Sequence, residues 1–449
     1  MRKNFSEKNV MRFWASICLA VVILISNVGF GFAQSAIDVT RERGQSIEDQ
    51  YSPRGSIVTE LNTGRILWQE NMTRKWTPAS MSKLMVILLA YDAIDRGEIS
   101  LYTKVTVTEE YLPIAQNLNL SNNNIQVGCE YTVKDLIELI IVPSSAAATY
   151  MLADLIEPDR NAYVGLMNER AKEIGMSNTT YVNPVGVPNE YLGDFMPPGS
   201  SLDGDNKTCA RDYAALATEL VSKYPDIINH TKSATIVIQK GTPYEEEFTG
   251  YLHSLPGTKH AYPGMDGLKT GSASHGYNYT GTAKHGDTRL MEVILGVSEW
   301  DDKEAEYKRH IVGNALLDKV FEEYEYRLVL EKGKHKIDGK KVYVEEDLYD
   351  CVPKGFDPEE CVFDRDNKVV YTGVDTDFLP GFERPMVPAH RESIMVKSFI
   401  YTMMIGGILL VLWIISNHIR RRRRRKKRRE LRELRELKEL KELKDEGEL

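Results

Sequence analysis

The chain has 449 residues, 42% hydrophobic and 27% charged, with a net charge of −8; that is more than one core usually serves, so two domains with appendages are expected. From Arg420 onward 15 basic residues face 8 acidic ones, a net of +7, which leaves −15 on the other 419 residues. An acidic body with a basic tail excludes nucleic acid as a partner, since that function needs its basic patch on the fold itself.

The N-terminus reads as an export signal. Arg2, Lys3, Lys8 and Arg12 precede an apolar run from Trp14 to Ile25, and Gly31-Phe32-Ala33 closes it with small residues. Residues 1–33 therefore form a secretory signal, with an uncleaved anchor as the alternative; either one exports the body. Of the five cysteines, Cys18 falls in the signal, leaving Cys129, Cys209, Cys351 and Cys361 where disulfides can persist. Four cysteines allow three pairings. Cys351 with Cys361 would close a short loop and leave Cys129 to Cys209; free thiols are the alternative. No histidine pair stands at ligand spacing, so neither a metal nor a cofactor is expected.

Residues 55–61 alternate like a strand, Asn62-Thr63-Gly64-Arg65 turns, and Ile66-Leu67-Trp68 begins the return. Thr77-Pro78-Ala79-Ser80-Met81-Ser82-Lys83 then opens a helix predicted over 80–96. Pro78 suits a first turn, and the unbroken apolar run from Leu84 to Ala90 puts the helix inside the protein. Ser80 sits where the helix dipole favours a developing anion. Lys83, three residues on, shares its face, and a buried lysine can serve as base to a hydroxyl nucleophile.

A second helix, capped by Thr132, runs to Val142 and breaks at Pro143-Ser144-Ser145; a third follows over 146–156. Ser144 thus lies in a tight turn between two buried helices. Strands are expected around Asp266-Gly267-Leu268-Lys269-Thr270-Gly271-Ser272, over 277–283 and over 290–297. Lys269 and Thr270 place a cation and a hydroxyl on a strand, and Gly271 would let a substrate backbone approach closely. Beyond them, 326–330, 341–344 and 368–371 read as short strands of a small β-rich domain over 326–392, a spacer in this reading. Residues 398–419 are long and apolar enough for a transmembrane helix. Tyr401 and Trp413 stand near its ends, and the ten cations from Arg420 to Arg429 mark its cytoplasmic side. The tail over 420–449 goes on to repeat Arg/Lys-Glu-Leu. Its leucines recur every three residues and wind around the helix, so it reads as a solvated stalk.

Three motifs stand in order: Ser80-x-x-Lys83, the Ser144 turn, and Lys269-Thr270-Gly271. With Asn62-Thr63-Gly64, Gly175-Met176-Ser177-Asn178-Thr179, Asn183-Pro184-x-Gly186 and Ala210-Arg211-Asp212, the chain closely resembles the secreted D-alanyl-D-alanine carboxypeptidases among the low-molecular-weight penicillin-binding proteins. The resemblance covers about residues 50–320. It implies an α/β fold of the β-lactamase and transpeptidase type, an antiparallel sheet flanked by helices with an all-helical subdomain, here over 45–325. The small all-β domain and single C-terminal membrane helix follow, which would hold the body on the extracytoplasmic side of the cell membrane.

The resemblance also implies roles. Ser80 would attack, Lys83 would take its proton, and Ser144 would relay a proton to the leaving D-alanine of a peptidoglycan stem peptide. Lys269 and Thr270 would hold the terminal carboxylate. Backbone N–H groups of Ser80 and Ser272 would form the oxyanion hole, and β-lactams would acylate Ser80. One departure stands out. The family's middle motif is Ser-x-Asn, and this chain reads Ser144-Ser145-Ala146. Ser121-Asn122-Asn123 matches the letters but precedes the helix that the motif should follow, so it reads as a loop. A weak or silent peptidoglycan-binding protein on the same fold is therefore the alternative, and an endopeptidase differs only in the cross-link cleaved.

Overall fold

The computed structural model of the chain describes residues 34–299, 301–391 and 394–445. The expected signal over 1–33 lies outside them. Main-body helices are α1 (Ala36–Glu42), α2 (Lys83–Asp95), α3 (Val133–Ile141), α4 (Ala146–Ile156), α5 (Arg160–Glu173), α6 (Ala210–Lys223) and α7 (Ala305–Glu323). Its main sheet is built from β1 (Gly55–Glu60), β2 (Ile66–Glu70), β3 (Met265–Ala273), β4 (Gly276–His285) and β5 (Thr288–Val297). They form one antiparallel sheet in the order β2-β1-β5-β4-β3. Because strand side chains alternate, this sheet feeds two cores. Ile57, Met291, Val293 and Leu295 join α2, α3, α4 and α6 on one face. Val58, Leu290 and Ile294 join α1 and α7 on the other.

Local chemistry sets the helix ends. Thr132 and Asp135 form a reciprocal capping box on α3, which satisfies two otherwise free backbone N–H groups. The predicted helix over 80–96 starts differently. Ala79–Ser82 is a 3-10 turn, and α2 proper begins at Lys83. Every residue of α2 from Lys83 to Ala93 is buried, as its continuous apolar run requires.

After α7 come β6 (Tyr324–Leu330), β7 (Gly333–Ile337), β8 (Lys340–Val344), β9 (Leu348–Pro353), β10 (Val362–Asp364), β11 (Val369–Tyr371) and β12 (Val387–Arg391). β6 pairs with β9, and the rest order as β7-β8-β12-β11-β10 around a separate small core. This β region is bolted to the main body. Arg65, from the β1–β2 turn, makes a two-pronged bond to Asp350, Nε to Oδ1 at 2.7 Å and Nη2 to Oδ2 at 2.6 Å, with neither side chain exposed. Ile66 N–H donates to Asp377 O and Leu379 N–H to Gly64 O. The Phe382 ring fills the space a side chain on Gly64 would need, and Pro380 does the same at Gly175. Leu379 belongs to the larger core of the main body.

The disulfide expectation is corrected: Cys129, Cys209, Cys351 and Cys361 are all free and buried. Burial raises each thiol above its ordinary value, Cys209 and Cys361 to about 12, so they behave as small apolar side chains. One helix among the described residues, α8 (Ile394–Asp445), is long and apolar enough to cross a bilayer; its candidate span has a mean hydropathy of 2.2 and is not buried against the protein. The helix continues unbroken through the basic block and the Leu repeat.

Candidate active site

Three elements bring the predicted residues together at one end of the sheet. The first is the turn before α2. Ala79 has φ +50°, a left-handed backbone that a side chain disfavours. Its carbonyl accepts a 2.8 Å bond from Ser82 Oγ, which in turn accepts one of 2.8 Å from Asn206 Nδ2. Asn206 also holds Asn183 O, and Asn183 Oδ1 accepts from Gly186 N–H. A Cβ on Gly186, itself at φ +80°, would lie 2.0 Å from Ala79 O. The Asn-Pro-x-Gly stretch is thus a brace behind Ser80. Ser177–Thr179 and Asp212 similarly brace each other: Asp212 Oδ2 accepts from Asn178 N–H and Thr179 Oγ1.

The second element is the Ser144 turn. Lys83 Nζ donates to Ser80 Oγ at 3.2 Å, to Ser144 Oγ at 3.1 Å and to Ser144 O at 2.6 Å. Lys83 is 2% exposed and Ser144 4%. Ser144 also has a left-handed backbone, φ +62°. Ser145 caps α4 through Ala148 N–H.

The loop of Ser121, Asn122 and Asn123, which its sequence position set apart, docks here. Ala146 N–H donates to Ser121 O, Ala147 N–H to Asn122 Oδ1, and Ser145 Oγ to Asn123 Oδ1 at 2.7 Å. The free N–H groups that open α4 are therefore satisfied from a distant segment. Ala146 leaves the third motif position without an amide.

The third element is β3. A Cβ on Gly271 would fall 2.4 Å from Pro78 O and 3.0 Å from Met81 N. The glycine's missing side chain therefore makes room for the Ser80 turn, where the sequence suggested room for substrate. Asn278, on β4, ties the same turn by donating to Thr77 O at 3.1 Å while its Oδ1 accepts from Gly296 N–H. Lys269 is 1% exposed and donates to Thr270 O at 3.0 Å; Thr270 is buried and Ser272 half-buried.

Electrostatics at this junction are unusual. Burial, and then the Lys269 charge, hold the Lys83 ammonium well below the ordinary lysine range. Burial lowers Lys269 to about 7, with the Arg309 charge as second cause. A buried amine held below its ordinary range, as Lys83 is, is suited to accept a proton. Arg309, on α7, was not anticipated. It is fully buried and donates to Ser272 Oγ at 3.2 Å, Asn278 O at 3.0 Å and Gly271 O at 3.4 Å. Lys269, Arg309 and the Thr270 and Ser272 hydroxyls make this strand end fit for an anion. Among the described residues no cluster of His, Cys, Asp or Glu could hold a metal ion.

Residues 42–299 match the family described as D-alanyl-D-alanine carboxypeptidase, and residues 326–375 match a domain of unknown function. The chain is 29% identical over 308 residues to D-alanyl-D-alanine carboxypeptidase DacF of Bacillus subtilis, covering 68% of this chain and 72% of that one. It is 27% identical over 320 residues to DacA of Haemophilus influenzae, covering 69% and 72%. Among solved structures, a peptidoglycan synthesis regulatory factor (PBP3) from Streptococcus pneumoniae superposes with a TM-score of 0.63 at 27% identity, covering 76% of this chain and 99% of that one. Penicillin binding protein 5 from Haemophilus influenzae gives 0.59 at 20% identity, covering 77% and 98%, a likeness of fold.

Proposed function

Because the chain belongs to the D-alanyl-D-alanine carboxypeptidase family, we propose that it removes the terminal D-alanine from peptidoglycan stem peptides through an acyl-enzyme on Ser80. The observation that carries this is the position of Lys83 Nζ, within hydrogen-bond reach of both Ser80 Oγ and Ser144 Oγ and shielded from water. Ser80 Oγ bonds to the carbonyl carbon of the D-Ala-D-Ala amide as Lys83 takes its proton. The oxyanion meets the N–H groups of Ser80 and Ser272. As the C–N bond breaks, the proton passes from Lys83 through Ser144 to the departing amine. Water, deprotonated by Lys83, then attacks the ester and frees Ser80. Lys269 and Thr270 hold the substrate's terminal carboxylate, with Arg309 adding positive potential behind them. A β-lactam would acylate the same oxygen. No cofactor takes part in these steps.

The body works outside the cytoplasm, delivered by residues 1–33 and held by α8, whose basic block stays on the cytoplasmic side. A second reading, a peptidoglycan-binding protein that does not turn over, is favoured by Ala146, which offers no amide to orient substrate. A fluorescent penicillin separates the two. Covalent labelling of the full-length protein that vanishes in Ser80→Ala, with D-alanine released from a pentapeptide, supports the enzyme. Wild-type protein that takes no label overturns it. Release of cross-linked peptide in place of D-alanine would move the assignment to endopeptidase.

A further inference from the structure

The β7–β8 hairpin carries an arrangement that its own folding does not explain. Lys336 pairs directly with Lys341, and Lys334 with Tyr343. Ile337, Val342 and Val344 enter the small core, so alternation puts Lys334, Lys336, Lys341 and Tyr343 on the outer face, where the three lysines are exposed. On the neighbouring strand His390 pairs with Tyr343 and Arg391 with Val342. The Tyr343 and His390 rings lie 5.3 Å apart.

Like charges directly opposite each other weaken an antiparallel pair, yet Lys336 and Lys341 stand so on an exposed face. The charges are also sorted along the hairpin. Lys336, Lys340, Lys341 and Arg391 gather toward the tip with Asp338 among them, while Glu331, Glu345, Glu346 and Asp347 lie at the other end. Lys336 pairs with Glu359 at 3.2 Å and Lys340 with Asp338, all with side chains 46–72% exposed. Such pairs are weak and readily exchanged for another anion.

The basic end is the end from which the chain leaves for α8. β12 runs antiparallel to β8 and finishes at Arg391, on the tip side. α8 begins at Ile394, three residues on, so at most about 10 Å of extended chain separates the strand end from the helix. Anionic head groups attract clustered Lys and Arg and repel the acidic remainder of the body.

We propose that this hairpin tip is a second membrane contact, met end-on, in which Lys336 and Lys341 on its outer face and Lys340 and Arg391 on the opposite face reach the head groups of an anionic phospholipid leaflet on the body's side of the bilayer. Tyr343 and His390 border that patch. The contact rests on the reading of α8 as a membrane anchor. It fixes how the body stands above the bilayer, which a single helix would leave free to turn.

The test uses full-length protein in bilayer discs of phosphatidylcholine alone or with about one-third phosphatidylglycerol. The readout is hydrogen–deuterium exchange over residues 333–344. Exchange should slow on the order of tenfold on the anionic bilayer. That protection should disappear at about 1 M salt and in the combined variant Lys336→Gln, Lys340→Gln and Lys341→Gln. Penicillin labelling of Ser80 in that variant should stay unchanged, which reports an intact fold. Equal exchange on both bilayers overturns the contact while leaving the anchor standing. Protein that enters neither bilayer overturns the anchor reading and the contact with it. Equal protection by soluble polyphosphate on the neutral bilayer would assign the patch to an anionic polymer and overturn the lipid assignment.

Discussion

Two turns present the two serines, and they are supported in opposite ways. Each holds a non-glycine residue in the left-handed region, Ala79 at φ +50° and Ser144 at φ +62°. The Ser80 turn is clamped by segments that match family landmarks, with Gly186 pressing on Ala79 O and Gly271 admitting Pro78 O, and by Asn206, which reaches Ser82. The Ser144 turn departs from the family pattern at Ala146, and its polar support comes from Ser121, Asn122 and Asn123. The difference teaches that rigidity at a catalytic turn can be kept while the chemical group at one position is lost. The Ser144 turn stays ordered by borrowed amides, but those amides bind α4 and Ser145.

Removing the group the turns share should have the largest effect. Lys83→Ala is expected to slow penicillin acylation about 10³-fold, the scale of a lost general base, with little change in thermal stability. A labelling rate within tenfold of wild type would leave Lys83 without that role.

The next effect concerns pH. Lys83 acts unprotonated, so acylation should fall as pH drops through its lowered value. Lys269 acts protonated, so kcat/KM should also fall as pH rises past about 7, by up to tenfold per unit. Lys269→Arg keeps its charge at high pH and should push the alkaline limb upward. An unshifted limb in that variant would remove Lys269 as its source.

Smaller still is the contrast between two substitutions of Ser144. Both Ser144→Ala and Ser144→Gly lose the hydroxyl, but glycine accepts φ +62° freely. Thermal melts should therefore show the glycine variant more stable by about 1 kcal/mol, with similar labelling rates. Two further substitutions sharpen the comparison directly. Asn123→Ala leaves Ser145 Oγ without its acceptor and should lower stability by about 1 to 2 kcal/mol. Asn206→Ala should in addition slow acylation, because it frees the brace behind Ser80. Denaturation curves and labelling rates on the same samples separate the two.

Much of this was legible in the residues, for physical reasons. The apolar run of α2, the Thr132 cap and the Pro143 break determine their own local structure. Ser80 and Lys83 lie one turn apart on one element, so their contact needed no tertiary knowledge. What stayed hidden depends on approach in space. Arg309 sits among Glu306, Lys308 and His310, a stretch that reads as a solvated helix face. Only the packing of α7 on the sheet shows it buried against Ser272 and Asn278. Gly271 looked like an opening for substrate because nothing local reveals that the Ser80 turn fills it. The spacing of Cys351 and Cys361 would suit a short bridge, yet both side chains went into apolar surroundings as thiols.

Leu379 has a consequence for where the molecule can be cut. This residue lies beyond the 42–299 match and beyond the strands from β6 to β11, yet it completes the core that holds α2. The order of folding units along the chain thus differs from their order in space. A fragment ended after α7, though it contains the nucleophile and its base, would expose the slots at Gly64 and Gly175 and strand the Arg65 guanidinium. A piece that keeps these contacts reaches at least to Phe382.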